Sequence, residues 1–246
     1  MQTLSSLRRA AATVVISLAA LAVGQADAQA QARSQEANLV PFVSLGSSAV
    51  SEAPSGVRGD LLLANDGNFY VVSSTGGKGG GAIARIAPDG TLTVLHAFAD
   101  SGEGVAAYGR LIQASDGNLY GTTYFGGDNG GGVVFRVSLA GVYTVLRSLG
   151  QTKQDAVLPY TGLVQASDGN LYGTTLRGGV NDKGTVFRIT TSGDLSIIHN
   201  FDGANGENPE GALIVGSDGN LYGTTLQGGS SGRGTLYRVT TGGTLT

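Results

Sequence analysis

The amino-acid sequence predicts an all-β chain, a β-propeller of about four four-stranded blades of roughly fifty residues each. Three observations carry this. The string Ser115–Thr123 (SDGNLYGTT) recurs unchanged at Ser167–Thr175 and Ser217–Thr225, with a degraded copy at Asn65–Tyr70. Its aspartates, Asp66, Asp116, Asp168 and Asp218, stand 50, 52 and 50 residues apart, and a fixed period of this size marks one supersecondary unit repeated in tandem. The chain's 246 residues include 42 glycines, far above the usual share of about 7%, clustered between short apolar runs. No amphipathic helical window follows the N-terminal apolar stretch.

The third repeat shows how each element arises. Gly162–Ala166 is a short apolar strand, and Ser167–Asn170 is a hairpin turn in which Gly169 supplies positive φ while Asp168 and Asn170 bond to nearby backbone. Leu171–Leu176, rich in Tyr and Thr, is the returning strand. A glycine-bearing loop, Arg177–Gly184, leads to a third strand, Thr185–Thr190. A second tight turn, Thr191–Asp194, precedes the fourth, Leu195–Phe201. A β-solenoid would use shorter coils of about 20–30 residues.

The last repeat reaches Gly242–Thr246, which matches Gly90–Thr93, so its fourth strand is only beginning there. Near the N-terminus, Asn38–Leu45 reads as a spare strand able to complete the last blade. Pro41 suits the edge-like outer position this requires. Two readings stay open: a ring of four closed blades, or a fragment of a larger propeller.

Residues 1–32 read as an export signal and flexible start: Arg8 and Arg9, an apolar Ala10–Val23, then small residues at Ala26-Asp27-Ala28. The apolar run is shorter than the roughly 20 residues a spanning helix needs, so no membrane span is expected after cleavage. Residues 33–57 hold the spare strand and a loop, and residues 58–246 the repeats. The expected location is periplasmic, cell-surface or secreted. With no cysteine, stability there must come from burial and sheet closure. A net charge of −3 with no basic cluster argues against nucleic acid.

The succession SDGNLYGTT, GG, GTVFRI and an apolar strand ending in His-x-Phe resembles the GloVer tandem repeat of bacterial exported and cell-surface "choice-of-anchor" proteins, over roughly Arg58 to Thr246. The resemblance implies a surface-associated β-propeller with no established activity. The first repeat, with Ile83–Gly90, is also similar to blades of streptogramin lyase-like propellers.

Residues that recur in every unit are expected to serve the unit. Arg85, Arg136, Arg188 and Arg238 follow the turn aspartates Asp66, Asp116, Asp168 and Asp218 by 19, 20, 20 and 20 residues and end on the same face. They are therefore expected to clasp those carboxylates, within one blade or between adjacent blades, in bidentate pairs. His96 and His199 share one repeat position with Arg147, which fits polar residues of an outer strand better than a catalytic pair. The Asp-Gly-Asn turns lack the alternating oxygens of a calcium loop, and the Gly-Gly pairs lead into no helix that could cradle phosphate. No metal, cofactor or catalytic residue is assigned.

Ligand-binding candidates lie on the opposite face, in the loops that differ between units: Tyr124 with Asp128, Arg177 with Asp182, and the interblade Tyr108 and Tyr160. The expected function is a non-enzymatic binding or interaction module for a glycan or a protein. The competing reading is a lyase- or hydrolase-like propeller with a metal near its axis.

Overall fold

The computed structural model describes residues 52–58, 60–99 and 102–246. The expected export signal and the Asn38–Leu45 strand lie outside them. Among the described residues the regular elements are all β-strands, and no helix is long and apolar enough to cross a membrane.

Each repeat folds as one antiparallel meander. In the third blade Val164–Gln165, Leu171–Thr175, Thr185–Ile189 and Leu195–Asn200 pair in chain order. The second blade uses Ile112–Gln113, Leu119–Thr123, Val133–Val137 and Tyr143–Ser148 in the same way. The first uses Leu62–Leu63, Phe69–Val72, Ala82–Ile86 and Leu92–Ala97. The fourth has three strands, Ile214–Val215, Leu221–Thr224 and Leu236–Val239, with a single bridge from Val239 to Leu245 starting the next.

The repeated turn is held by its own side chains. Gly169 sits at φ 81°, a conformation that strains other residues. The Asp168 carboxylate accepts the Asn170 backbone N–H at 3.1 Å, the Asn170 Nδ2 at 2.9 Å and the Tyr172 hydroxyl at 2.6 Å. The same three bonds recur around Asp66, Asp116 and Asp218.

Burial then explains the strand that follows. The front of each blade packs on the back of the next: Tyr120, Val134 and Leu149 against Leu163, Leu171, Phe187 and Ile189, for example. Gly173 lies opposite Phe187, and a Cβ there would come 2.5 Å from the Phe187 Cζ. Gly173 is not among the positive-φ glycines, so space for the ring, rather than backbone conformation, requires it. Gly121 stands in the same relation to Phe135. The degraded first repeat inverts the pair: Val71 replaces the glycine and Ala84 replaces the phenylalanine.

Polar groups also join the blades. Gln165 accepts the Ser115 N–H at 2.8 Å and donates to Ser115 Oγ, tying its strand to the previous blade's turn. Thr122 donates to the Thr161 carbonyl at 3.0 Å, and Thr174 to that of Pro209 at 3.3 Å. Val134 and Val186 are fully buried in these interfaces, whereas Leu236 at the same repeat position is 77% exposed on the outer face of the fourth blade.

Candidate functional site

In every blade the segment entering the blade pairs with the loop between its second and third strands. Pro54–Ser55 pairs with Thr75–Gly76, Val105 with Phe125, Ala156–Val157 with Arg177–Gly178, and Glu207 with Gln227. The variable loops thus gather on one face and are tied to the scaffold there.

Just beyond each pairing the backbone turns left-handed: Gly56 at φ 61°, Ala106 at 59°, Leu158 at 61° and Asn208 at 54°. A non-glycine residue in this region costs about 1–3 kcal/mol and persists only where its surroundings hold it. The Leu158 N–H donates to the Gly131 carbonyl in the preceding blade's loop at 2.8 Å, and its own carbonyl accepts from Leu176 N at 3.0 Å. Ala106 bridges Gly80 and Tyr124 in the same manner, and Asn208 bridges Lys183 and Leu226.

Two positions after this crossing point come Arg58, Tyr108, Tyr160 and Glu210, one from each blade. They line a single cavity of about 310 Å³, which Asp60 and Arg110 share. The rings of Tyr108 and Tyr160 lie 5.3 Å apart, centre to centre, and Tyr124 joins them at 5.4 and 5.9 Å. These separations suit tilted and edge-to-face aromatic contacts. The Arg58 guanidinium stands 5.2 Å from the Tyr108 ring centre, a cation–π distance. Arg110 faces Asp60 at 4.0 Å. Burial raises the Tyr124 phenol above its ordinary pKa, helped by Tyr108, Tyr160 and the Glu210 charge and opposed by Arg177. The three tyrosines are half-buried, while Arg58 and Glu210 are exposed.

Of the six loop residues expected to bind, the structure brings Tyr108, Tyr124 and Tyr160 together, with Arg177 close enough to act on Tyr124. Asp182 serves the loop itself, since its carboxylate accepts the Gly178 N–H at 2.9 Å and closes the turn. Asp128 is exposed on the adjoining loop, its N–H bound to Ser148 Oγ at 3.2 Å, and does not line the cavity. Arg58 is not evident as a candidate in the sequence, and Glu210 stands there only as one of several variable interblade acids, because both are chemically unlike tyrosine. Their shared repeat position is the signal that finds them.

The expected aspartate–arginine clasp needs correction. No ion pair within 4.0 Å joins Asp66, Asp116, Asp168 or Asp218 to Arg85, Arg136, Arg188 or Arg238, within a blade or between blades; the carboxylate's direct side-chain partners are the asparagine two residues on and the tyrosine four residues on. Register is the reason: Arg188 pairs across the sheet with Tyr172, whose hydroxyl reaches back to Asp168. Burial raises the Asp168 pKa, but the bonds from Tyr172 and Asn170, with the Arg188 charge behind them, outweigh it and hold the carboxyl below its ordinary value. Burial, then the bond to Asp168, pushes the Tyr172 phenol up to about 12.

The histidines belong to the scaffold. His96 stacks on Tyr143 at 4.0 Å and faces Glu103 at 3.3 Å, Arg147 faces Asp155 at 3.6 Å, and His199 meets Asn205 at 3.3 Å. One repeat position therefore links the fourth strand to the loop after it. Among the described residues no group of three or more His, Cys, Asp or Glu is placed to hold a metal ion.

Among solved structures the chain is similar to streptogramin B lyase, with TM-score 0.55 and 19% identity over 76% of this chain and 52% of that one. It is also similar to virginiamycin B lyase from Staphylococcus aureus, with TM-score 0.53 and 18% identity over 78% of this chain and 54% of that one. The chain thus spans about half the length of these propellers, and at this identity the likeness is one of fold. Comparison with curated proteins gives no match. The model of the Gloeobacter/Verrucomicrobia repeat matches residues 52–246, and the chain belongs to that repeat family.

Proposed function

We propose that this chain is an exported, non-enzymatic β-propeller that binds a glycan or a protein at the tyrosine-lined cavity. The observation behind this reading is that Tyr108 and Tyr160, half-buried, line one open cavity, with Tyr124 packed against both rings. Tyrosine offers a large apolar surface with a polar tip at little cost in side-chain entropy, which favours recognition surfaces. The rim residues differ from blade to blade while the scaffold beneath them repeats, as expected where side chains answer to a ligand and not to packing.

The test is a glycan and peptide binding screen on the chain, repeated with Tyr108→Ala and Tyr160→Ala. Binding should be lost in both variants while the melting temperature changes little. Ligands that bind equally well to both variants would overturn the placement of the site. Turnover by the purified protein would overturn the non-enzymatic reading. Export is tested separately, by determining the N-terminus of the protein recovered from outside the cytoplasm, with cleavage expected near Ala28.

A further inference from the structure

The cavity has a charge order as well as an aromatic lining. Going round the rim by blade, Arg58 comes first, Tyr108 and Tyr160 follow, and Glu210 comes last. Asp60 and Arg110 face one another at 4.0 Å and largely offset each other's charge. That leaves a guanidinium on one side of the tyrosines and a carboxylate on the other, both exposed and free to meet a ligand. Arg58 is oriented by its stack on Tyr108 at 5.2 Å. The field of Glu210 reaches the third ring, Tyr124.

Resting on the reading of this cavity as a binding site, we infer that its ligand is a short peptide segment carrying an acidic and a basic side chain, held with the acid toward Arg58, the base toward Glu210 and the intervening backbone over Tyr108 and Tyr160. Exposed charges contribute little attraction individually, but they discriminate strongly through repulsion of the wrong partner. A uniformly acidic polysaccharide would gain Arg58 and be repelled by Glu210. A neutral glycan would use neither charge. A dipolar peptide satisfies both ends.

The experiment is an NMR titration of the full chain with end-blocked Asp-Ala-Ala-Lys, Asp-Ala-Ala-Asp and Lys-Ala-Ala-Lys, and with cellotetraose and tetragalacturonate. The dipolar peptide should bind about tenfold more tightly than either uniformly charged one. Arg58→Glu and Glu210→Arg should each abolish that preference, and the two together should restore it with the peptide reversed. Both positions are exposed, and an unchanged melting curve confirms that the fold is retained. If the oligosaccharides bind as well as the dipolar peptide, and lose binding in Tyr108→Ala, the charge inference fails and the binding cavity stands. If no probe produces shifts that depend on Tyr108, both fail.

Discussion

Gly173 and Phe187 face each other across the second and third strands of the third blade, and the size of one sets the size of the other. A Cβ on Gly173 would lie 2.5 Å from the Phe187 Cζ and 2.8 Å from a Leu163 methyl. Gly173→Val therefore overpacks the blade interface, at a cost of about 1–3 kcal/mol. Phe187→Ala removes a fully buried ring from the same interface, at about 3–5 kcal/mol. If the two acted independently, their combined loss would be about 4–8 kcal/mol, much of a domain's total stability of about 5–15. They are not independent, because the valine methyls would enter space the ring has left. The first blade already holds this inverted pair, with Val71 and Ala84 3% and 0% exposed. The double variant should be at least as stable as Phe187→Ala alone, a coupling of about 1–3 kcal/mol. Urea unfolding of the four proteins, followed by circular dichroism and tyrosine fluorescence, measures it. Additive losses would refute the reading of Gly173 as room for a ring.

Other parts of the scaffold give further expectations. Tyr172→Phe should cost about 1 kcal/mol, the ordinary worth of one such bond, whereas Arg188, which reaches Asp168 through its charge and not through a contact, should couple to Asp168→Ala more weakly than Tyr172 does in a double-mutant cycle. The Tyr172 phenol, raised to about 12, contributes stability below about pH 10 that is lost as pH climbs through 12. The lowered Asp168 carboxyl contributes above about pH 3.9, and that contribution is lost as pH falls through its folded pKa. Tyr172→Phe should thus flatten the alkaline limb of a melting-temperature profile and soften the acid one. Val186→Ala should destabilise by about 1–3 kcal/mol and Leu236→Ala by less than about 0.5, since one is buried and the other 77% exposed. Equal effects in thermal melts would show that the outer face of the fourth blade is covered in solution. Gln165→Ala should lower stability by about 1 kcal/mol through its lost bonds to Ser115, read by the same urea assay.

The blades are legible in the sequence because their determinants are local. A glycine at positive φ, an aspartate bonding two residues on, and a run of Tyr and Thr are each readable within ten residues. The clasp is not, because counting from Asp168 to Arg188 establishes a shared face but not what stands between them. The phenol of Tyr172 reaches back to the carboxylate and takes the place expected for the guanidinium. Val71 resembles a decayed glycine for a similar reason: the compensating Ala84 is thirteen residues away and meaningful only once the strands are paired. In the loops the three tyrosines come together, whereas the two aspartates do not join them. A short carboxylate such as Asp182 finds a nearby backbone N–H more readily than it finds solvent.

The rim can vary because side chains do not build it. Ala106, Leu158 and Asn208 have nothing in common except their left-handed backbone and the two main-chain bonds each makes, one to the preceding blade and one to its own. Any residue whose strain those bonds can outweigh will serve there, and the backbone places the residue two positions on at the cavity whatever its side chain. The recurring demands of the fold, a glycine under a ring and a tyrosine on an aspartate, lie elsewhere in the blade. Arg58, Tyr108, Tyr160 and Glu210 can therefore differ without disturbing the scaffold, and the cavity's lining varies through one such position in each repeat.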